Sequence, residues 1–287
     1  MASILFTTDS AADIPAALAE ERSVRVLPFP IVLGEREIAD GVEMTPEEFY
    51  DVLLAADTVP THAALNQYNF CEAFEQAWKE GYTDLIHTSI NSRGSATYHN
   101  AVMAREEFYE EHPEARDTFR IRILDSKTYS MGYGWAVLEA ARMVEEGATA
   151  DEAEAFLLDW LAHVRVVFTA LDLRFAKKSG RISAAAAFMG DALGLKPMMT
   201  FEDGASTVLE KTRGEKGVAA ALAARCKAER REDSPVLLLR GNNNEQAEKL
   251  AELCRQELGK EPDLTYCLGG VVSVNAGPNV VGLVYRT

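Results

Sequence analysis

The 287-residue chain is 47% hydrophobic and 26% charged, enough apolar material for a substantial core, and its length fits two domains of ordinary size. Its 45 acidic residues outnumber 29 basic ones, and the formal charge of -16, with no Lys/Arg run, excludes functions that rest on broad attraction to nucleic-acid phosphates. Cys71, Cys226, Cys254 and Cys267 are scattered without C-x-x-C spacing, so reduced thiols in a cytoplasmic protein are expected rather than a disulfide framework or a zinc site.

The opening MASILFTTDS lacks the basic start of a secretion signal, and Ile4 to Thr8 reads as a buried strand. Pro15 to Glu21 predicts a short helix, and Val24 to Leu33 predicts extended chain broken by two prolines. Thr45-Pro46-Glu47-Glu48 is a capping box with proline at the first helical position, opening a helix that runs to about Ala55. A helix over Phe70 to Trp78 follows, then strands at Asp84 to Thr88 and Phe119 to Leu124 with a helix from about Ser95 between them, and a longer helix through Val144. This βαβ series implies a parallel sheet whose binding groups lie at the C-terminal ends of its strands.

After a helix over Ala150 to His163 the pattern changes. It predicts a strand at Val166 to Ala170, an Ala-rich helix from Ile182 to Leu193, and two strands flanking Asp203-Gly204. A helix over 215–230, a strand at Val236 to Arg240 and a helix over 244–258 come next. Leu268 to Tyr285 is uncharged, but Asn275, Pro278, Asn279 and several glycines interrupt it, which predicts two strands around a turn rather than a membrane span. The expected fold class is α/β with two α/β domains. Residues 1–162 would carry the mainly parallel sheet, and residues 163–287 a mixed or antiparallel sheet with helices.

The stretch NSRGSATYHNAVMA, residues 91–104, sets four hydroxyls at the start of a helix, where unpaired N–H groups favour an anion. A phosphate, a ligand carboxylate and a serine poised for acyl transfer all suit such a place. Ser95 is not in a nucleophile elbow, because Arg93 and Thr97 stand where glycines are needed. Neither a Walker loop nor G-x-G-x-x-G occurs, and His62, His87, His99, His112 and His163 lack metal-binding spacing, so no metal or cofactor is expected. The remaining signal is a set of hydroxyls at strand-to-helix junctions: Thr7-Asp9-Ser10, Thr61, and Ser92, Ser95 and Thr97. Each alone reads as a helix cap, and together they point to an anion site at the edge of the sheet. An enzyme using Ser95 or Thr61 as nucleophile, with His62 or His99 nearby, is the competing reading.

TTDSAADIP (7–15), PTHAALN (60–66), INSRGSATYHNA (90–101), ILDS (123–126), LRFAKKSGRIS (173–183), LKPMM (195–199), KTRG (211–214) and NAGPN (275–279) together resemble, in order along the whole chain, the DegV family of bacterial fatty-acid-binding proteins. The resemblance implies a non-catalytic, two-domain carrier of one long-chain fatty acid, its tail in a tunnel built partly by the C-terminal domain and its carboxylate near the domain junction. It also implies a fatty-acid kinase as partner, neither nucleic acid nor stable membrane insertion, and no cofactor. Carried over by position, Thr61 and Ser95 would bind the carboxylate, and Asn275 would join them where many members have His. His62 stands in place of the usual Ser and Ala96 in place of Gly, and with Ser92 these are further candidates at the head group. Ser179 replaces the first glycine of the motif before Gly180-Arg181, and Arg181 and Arg213 match arginines near the pocket mouth that are candidates for docking the kinase. Ala184 to Met189 and Leu193 to Met199 are candidate tunnel walls. A sixteen-carbon tail would bury about fifteen methylenes at roughly 0.8 kcal/mol each, of order 12 kcal/mol before ordering costs.

Overall fold

The computed structural model describes residues 3–186, 194–242 and 244–287. β1 (Ile4–Asp9) leads through α1 (Ala16–Glu21) to β2 (Arg25–Leu27), and a small hairpin of β3 (Pro30–Leu33) and β4 (Arg36–Ala39) follows. Next come α2 (Pro46–Ala55), β5 (Thr61–His62), α3 (Gln67–Lys79), β6 (Asp84–Ser89), α4 (Thr97–Glu111) and β7 (Arg120–Asp125). Two long helices, α5 (Met131–Glu145) and α6 (Ala150–His163), then precede β8 (Val164–Ala170). The chain continues through α7 (Leu173–Ser179), α8 (Ser183–Ala186), β9 (Leu195–Glu202), β10 (Ala205–Arg213), α9 (Val218–Glu229), β11 (Leu237–Arg240) and α10 (Asn244–Leu253). It closes with β12 (Leu264–Cys267), α11 (Gly270–Ala276) and β13 (Val280–Arg286).

Three sheets result. The first is parallel, in the order β2-β1-β6-β7, and the second is a small antiparallel sheet, β4-β3-β5. The third runs β10-β9-β8-β13-β11-β12 and is antiparallel except for its β11/β12 pair. β1 is buried from Leu5 to Asp9 and β6 from Leu85 to Ser89, as expected of strands covered on both faces. The capping box foreseen at Thr45 is present: its hydroxyl accepts from Glu48 N at 3.3 Å while the Glu48 carboxylate accepts from Thr45 N at 2.9 Å. One core cluster joins Phe6 and Ile86 of the parallel sheet to Val166, Phe168 and Leu239 of the six-stranded sheet, with α5 and α6 contributing Val137 and Leu157.

The β9–β10 turn, Asp203-Gly204, has φ of +47° and +77°, values suited to the tight hairpin its sequence predicts. Its tip docks on the first sheet, where Asn91 Nδ2 donates to Gly204 O at 2.7 Å and to Tyr129 Oη at 2.9 Å. A Cβ at Gly204 would collide with Asn91 Oδ1, so glycine is needed here both for conformation and for close approach.

Two readings of the sequence change. Leu268 to Tyr285 is not two strands around a turn: Gly270–Ala276 is helical, only Val280–Arg286 is a strand, and the other terminal strand, β12, ends before Leu268. The β-branched run VVSV favours a strand locally, but tertiary hydrogen bonds to the helix start override it. Of the Ala-rich helix expected over Ile182 to Leu193, Ser183–Ala186 is helical, and residues 187–193 lie outside the described residues.

Candidate functional site

The C-terminal ends of β2, β6 and β7 all open on one edge of the parallel sheet, the place where α/β folds collect ligands. There the six-stranded sheet and α11 close over it and leave a cavity with an open mouth. Phe29 and Ile90 come from one side, Val166, Phe168 and Phe201 from the other, and Val271 from α11 between them. Phe168 and Phe201 stack at 5.3 Å between centroids, and Tyr129 lies 4.5 Å from Phe201. The surface these residues turn to the cavity is almost wholly apolar.

Its polar members gather from separate segments: His62, Ser95, Tyr129, Ser130, Arg181 and Asn275. Ser130 is already engaged, donating to the Asp13 carboxylate. Ser95 Oγ pairs with Thr97 Oγ1 at 2.8 Å and accepts from Thr97 N at 3.3 Å, so it caps the turn entering α4 while facing the cavity. Tyr129 Oη accepts from Asn91, and burial raises its pKa, which keeps its own proton available to donate. Arg181 Nη1 donates to Ser179 O at 2.9 Å, and among the described residues no carboxylate pairs with its guanidinium. Asn275 Nδ2 donates to Val271 O at 2.7 Å and to His62 Nε2 at 2.9 Å. Burial, and then the positive charge of Arg181, lower the His62 pKa, while the Asn275 hydrogen bond acts the other way. The imidazole is therefore neutral at neutral pH, and the fixed charge at the site is the guanidinium.

The structure thus brings together Ser95, His62, Asn275 and Arg181. Thr61 is not among the lining residues; it is exposed, because neighbours along a strand point to opposite faces and in β5 the inward one is His62. Ser92 is also outside the lining, since its Oγ donates to Asp125 Oδ2 at 2.5 Å and its N to Oδ1 at 3.0 Å, which closes the loop after β6. Ala96 is exposed at the start of α4 and offers no polar side-chain atom. Arg213 is exposed at the far end of β10, away from the cavity. Asn275 lines the cavity, but both hydrogens of its amide are already in use. Met198 packs in the core around α9, and Met199 in the core between the sheets; the wall expected from them is supplied by Phe168 and Phe201. Tyr129 was missed, although its place just past β7, on the same sheet edge as Ser95, is the signal that finds it. Ser95 has a hydroxyl rather than an imidazole as its hydrogen-bond partner, and His99 is exposed with its ring against Tyr98. Among the described residues, Ser95 and the histidines make no Ser–His hydrogen bond.

A family model described as "Uncharacterised protein, DegV family" matches residues 3–287. The chain belongs to the DegV family. A DegV domain-containing protein of Clostridium perfringens is 30% identical over 286 residues, covering 99% of both chains. A DegV family protein of Thermus thermophilus whose structure describes fatty-acid binding superposes with a TM-score of 0.87 at 27% identity, covering 99% of each chain. A fatty-acid-binding DegV protein of Streptococcus agalactiae gives a TM-score of 0.85 at 26% identity, covering all of this chain and 99% of that one. The parallel sheet beside a mixed sheet, with helices on both, is the DegV fold. Among its described residues no helix is long and apolar enough to cross a membrane, and no cluster of three or more His, Cys, Asp or Glu is placed to hold a metal.

Proposed function

We propose that this chain carries one long-chain fatty acid, with the tail along the Phe168/Phe201 walls and the carboxylate at the Ser95–Tyr129–Arg181 end of the cavity. The observation that supports it is the pairing of an apolar cavity with a mouth that gathers a hydroxyl, a phenol and a guanidinium with no carboxylate partner among the described residues, in a chain of charge -16. An anion with an apolar tail satisfies both parts at once. Tail burial supplies most of the affinity, and the polar end keeps the carboxylate from being buried unpaired. The Thermus and Streptococcus relatives, described as fatty-acid-binding, support the same ligand class.

We infer further that the acid is handed to a fatty-acid kinase in the cytoplasm. Arg181 at the mouth is the better-placed contact for that partner, and Arg213, on the same six-stranded half, is a second. We also read His163, where α6 gives way to β8, as the division between the two domains. Denaturing extraction of protein purified from a bacterial host, followed by mass spectrometry, should return about one fatty acid per chain. Absence of fatty acid, with palmitate failing to bind the purified protein, would overturn the carrier reading.

A further inference from the structure

We propose that Leu268 sets the length of tail this chain accepts, because its side chain is the partition between the acyl cavity and a second groove behind it. The inference rests on the fatty-acid reading above and assigns a specificity-determining residue at the tail end, remote from the carboxylate.

The cavity runs across the inner face of the six-stranded sheet. Phe201 of β9 lies at the mouth beside Tyr129, and Phe168 of β8, Val280 of β13 and Leu239 of β11 continue the lining to Leu268, just past β12. From β9 to β12 is four strand spacings, roughly 19 Å, close to the length of an extended palmitate. A tail whose carboxylate sits at Ser95, Tyr129 and Arg181 therefore ends against Leu239 and Leu268.

These two leucines are backed differently. Leu239 belongs to a strand paired on both sides, with β12 and β13, and the core around α9 covers the other face of that sheet. Leu268 lines the cavity, whereas Cys267 and Gly269, on either side of it in the chain, line a separate groove. That groove lies between α1, β4 and the start of α2, and Val24, Val26, Ile38, Met44 and Phe49 give it apolar walls. Gly269 and Gly270 have no side chains to thicken the partition, and none would fit: a Cβ there would stand 2.4 Å from Asp13 Oδ1 or 2.5 Å from Asp40 Oδ1. The backbone is pinned, with Leu268 N donating to Arg240 O at 3.1 Å and Tyr50 Oη donating to Leu268 O at 2.6 Å. Beside it, Ser130 on the cavity side donates to Asp13 on the groove side. The hydrogen-bonded part of the wall is fixed, so the size of the leucine side chain decides whether a tail stops or passes. Shortening it joins two apolar spaces.

The test measures the affinity of delipidated protein for straight-chain saturated acids from laurate to behenate. In the parent, affinity should rise about fourfold with each methylene to a limit near palmitate and then stop rising. Leu268→Ala should move the limit to longer acids, so that arachidate binds about tenfold or more tightly than to the parent, and Leu268→Phe should move it toward myristate. Because Leu268→Ala leaves a void that lowers stability, tail position is also read in the parent. Palmitate carrying a photoreactive diazirine at its terminal carbon should label Leu239 or Leu268 there. One length limit shared by the parent and both variants, or parent labelling confined to residues around Phe201, would overturn the partition while leaving the carrier reading intact. A parent that binds none of the acids would remove both.

Discussion

The two ends of α11 meet the same protein interior in opposite ways. At its N-terminal end, Gly269 N donates to Asp13 Oδ1 at 3.0 Å and Gly270 N to Asp40 Oδ1 at 3.1 Å. Ser130 and Ser10 donate to the other oxygens of these carboxylates, the second at 2.7 Å. Asp9 nearby is served by Ile90 N at 2.7 Å and Tyr133 Oη at 2.6 Å. Burial raises all three carboxyl pKa values, Asp9 to about 6, and the donors around them push the other way. At the far end of the same helix, Asn275 donates to His62 Nε2, and His62 Nδ1 has no partner among the described residues. The saturated end is architecture, and the unsaturated end belongs to the site proposed above. What separates them is whether every buried polar atom already has a partner, and not the residue types, since Ser, Asp, Asn and His all cap and brace proteins as readily as they bind ligands.

The largest effect should come from breaking the saturated end. Gly270 sits so close that a Cβ there would stand 2.5 Å from Asp40 Oδ1, and no other residue serves this start of α11 as well. Asp40→Ala would strip acceptors from Ser10 Oγ, Gly270 N and Val271 N together. At 1–3 kcal/mol for each buried group left unpaired, less the relief of removing a desolvated carboxyl, the loss should be about 4 kcal/mol. Urea unfolding measures it directly. A loss below about 1 kcal/mol would mean that the carboxylates do not anchor the helix.

His87 sharpens the comparison, because it shows that an unsatisfied atom alone does not make a site. Its Nε2 has no partner among the described residues, and its Nδ1 lies 3.0 Å from Thr7 Oγ1, yet the ring sits fully buried against Phe70 and is not part of the cavity lining. Burial pushes its pKa down to about 3. The unfolded chain therefore takes up a proton below about pH 6.5 that the folded chain refuses until about pH 3, so His87 withdraws stability as pH falls across that window. The raised carboxyls work in the opposite sense, with stability increasing as pH falls through about 6 toward 4. His87→Gln cannot titrate, and the carboxyl contributions cancel in the difference between variant and parent. That difference should move in favour of the variant by about 1.4 kcal/mol per pH unit between pH 6 and 4. Parallel stability curves over this range would show that the buried ring is charged in the folded protein.

Much of this architecture is legible in the residues. The parallel series, the capping box at Thr45 and the Asp203-Gly204 hairpin each rest on a local rule that the tertiary structure leaves in force. α11 is illegible for the opposite reason: VVSVNA has strand propensity, and what holds it as a helix comes from far away in the chain, including carboxylates of residues 13 and 40 and the core around Val271 and Val274. The choice between Thr61 and His62 is also hidden, since a two-residue strand has no period from which its inward face can be read. Family position puts Thr61 in the site, while the fold turns it outward and sets His62 in the lining.

The smallest effect divides two serines three residues apart in the stretch NSRGSATYHNAVMA. Ser92 belongs to the saturated class: its Oγ and N both donate to Asp125, which also accepts from Lys127 N at 3.1 Å. Ser92→Ala removes one of three donors to a carboxylate that solvent still reaches, so stability should fall by only about 1 kcal/mol, and palmitate affinity should not change. Ser95 faces the cavity and shares a hydroxyl pair with Thr97, whose single bridging proton can turn toward a ligand oxygen instead. Ser95→Ala should cost a similar amount of stability through the lost turn bond to Thr97 N, yet weaken palmitate binding by about tenfold. Similar melting shifts with divergent affinities would support the division between cap and site. If Ser92→Ala weakened binding as much as Ser95→Ala, the loop closed by Asp125 would belong to the head-group site, and saturation would no longer separate the two.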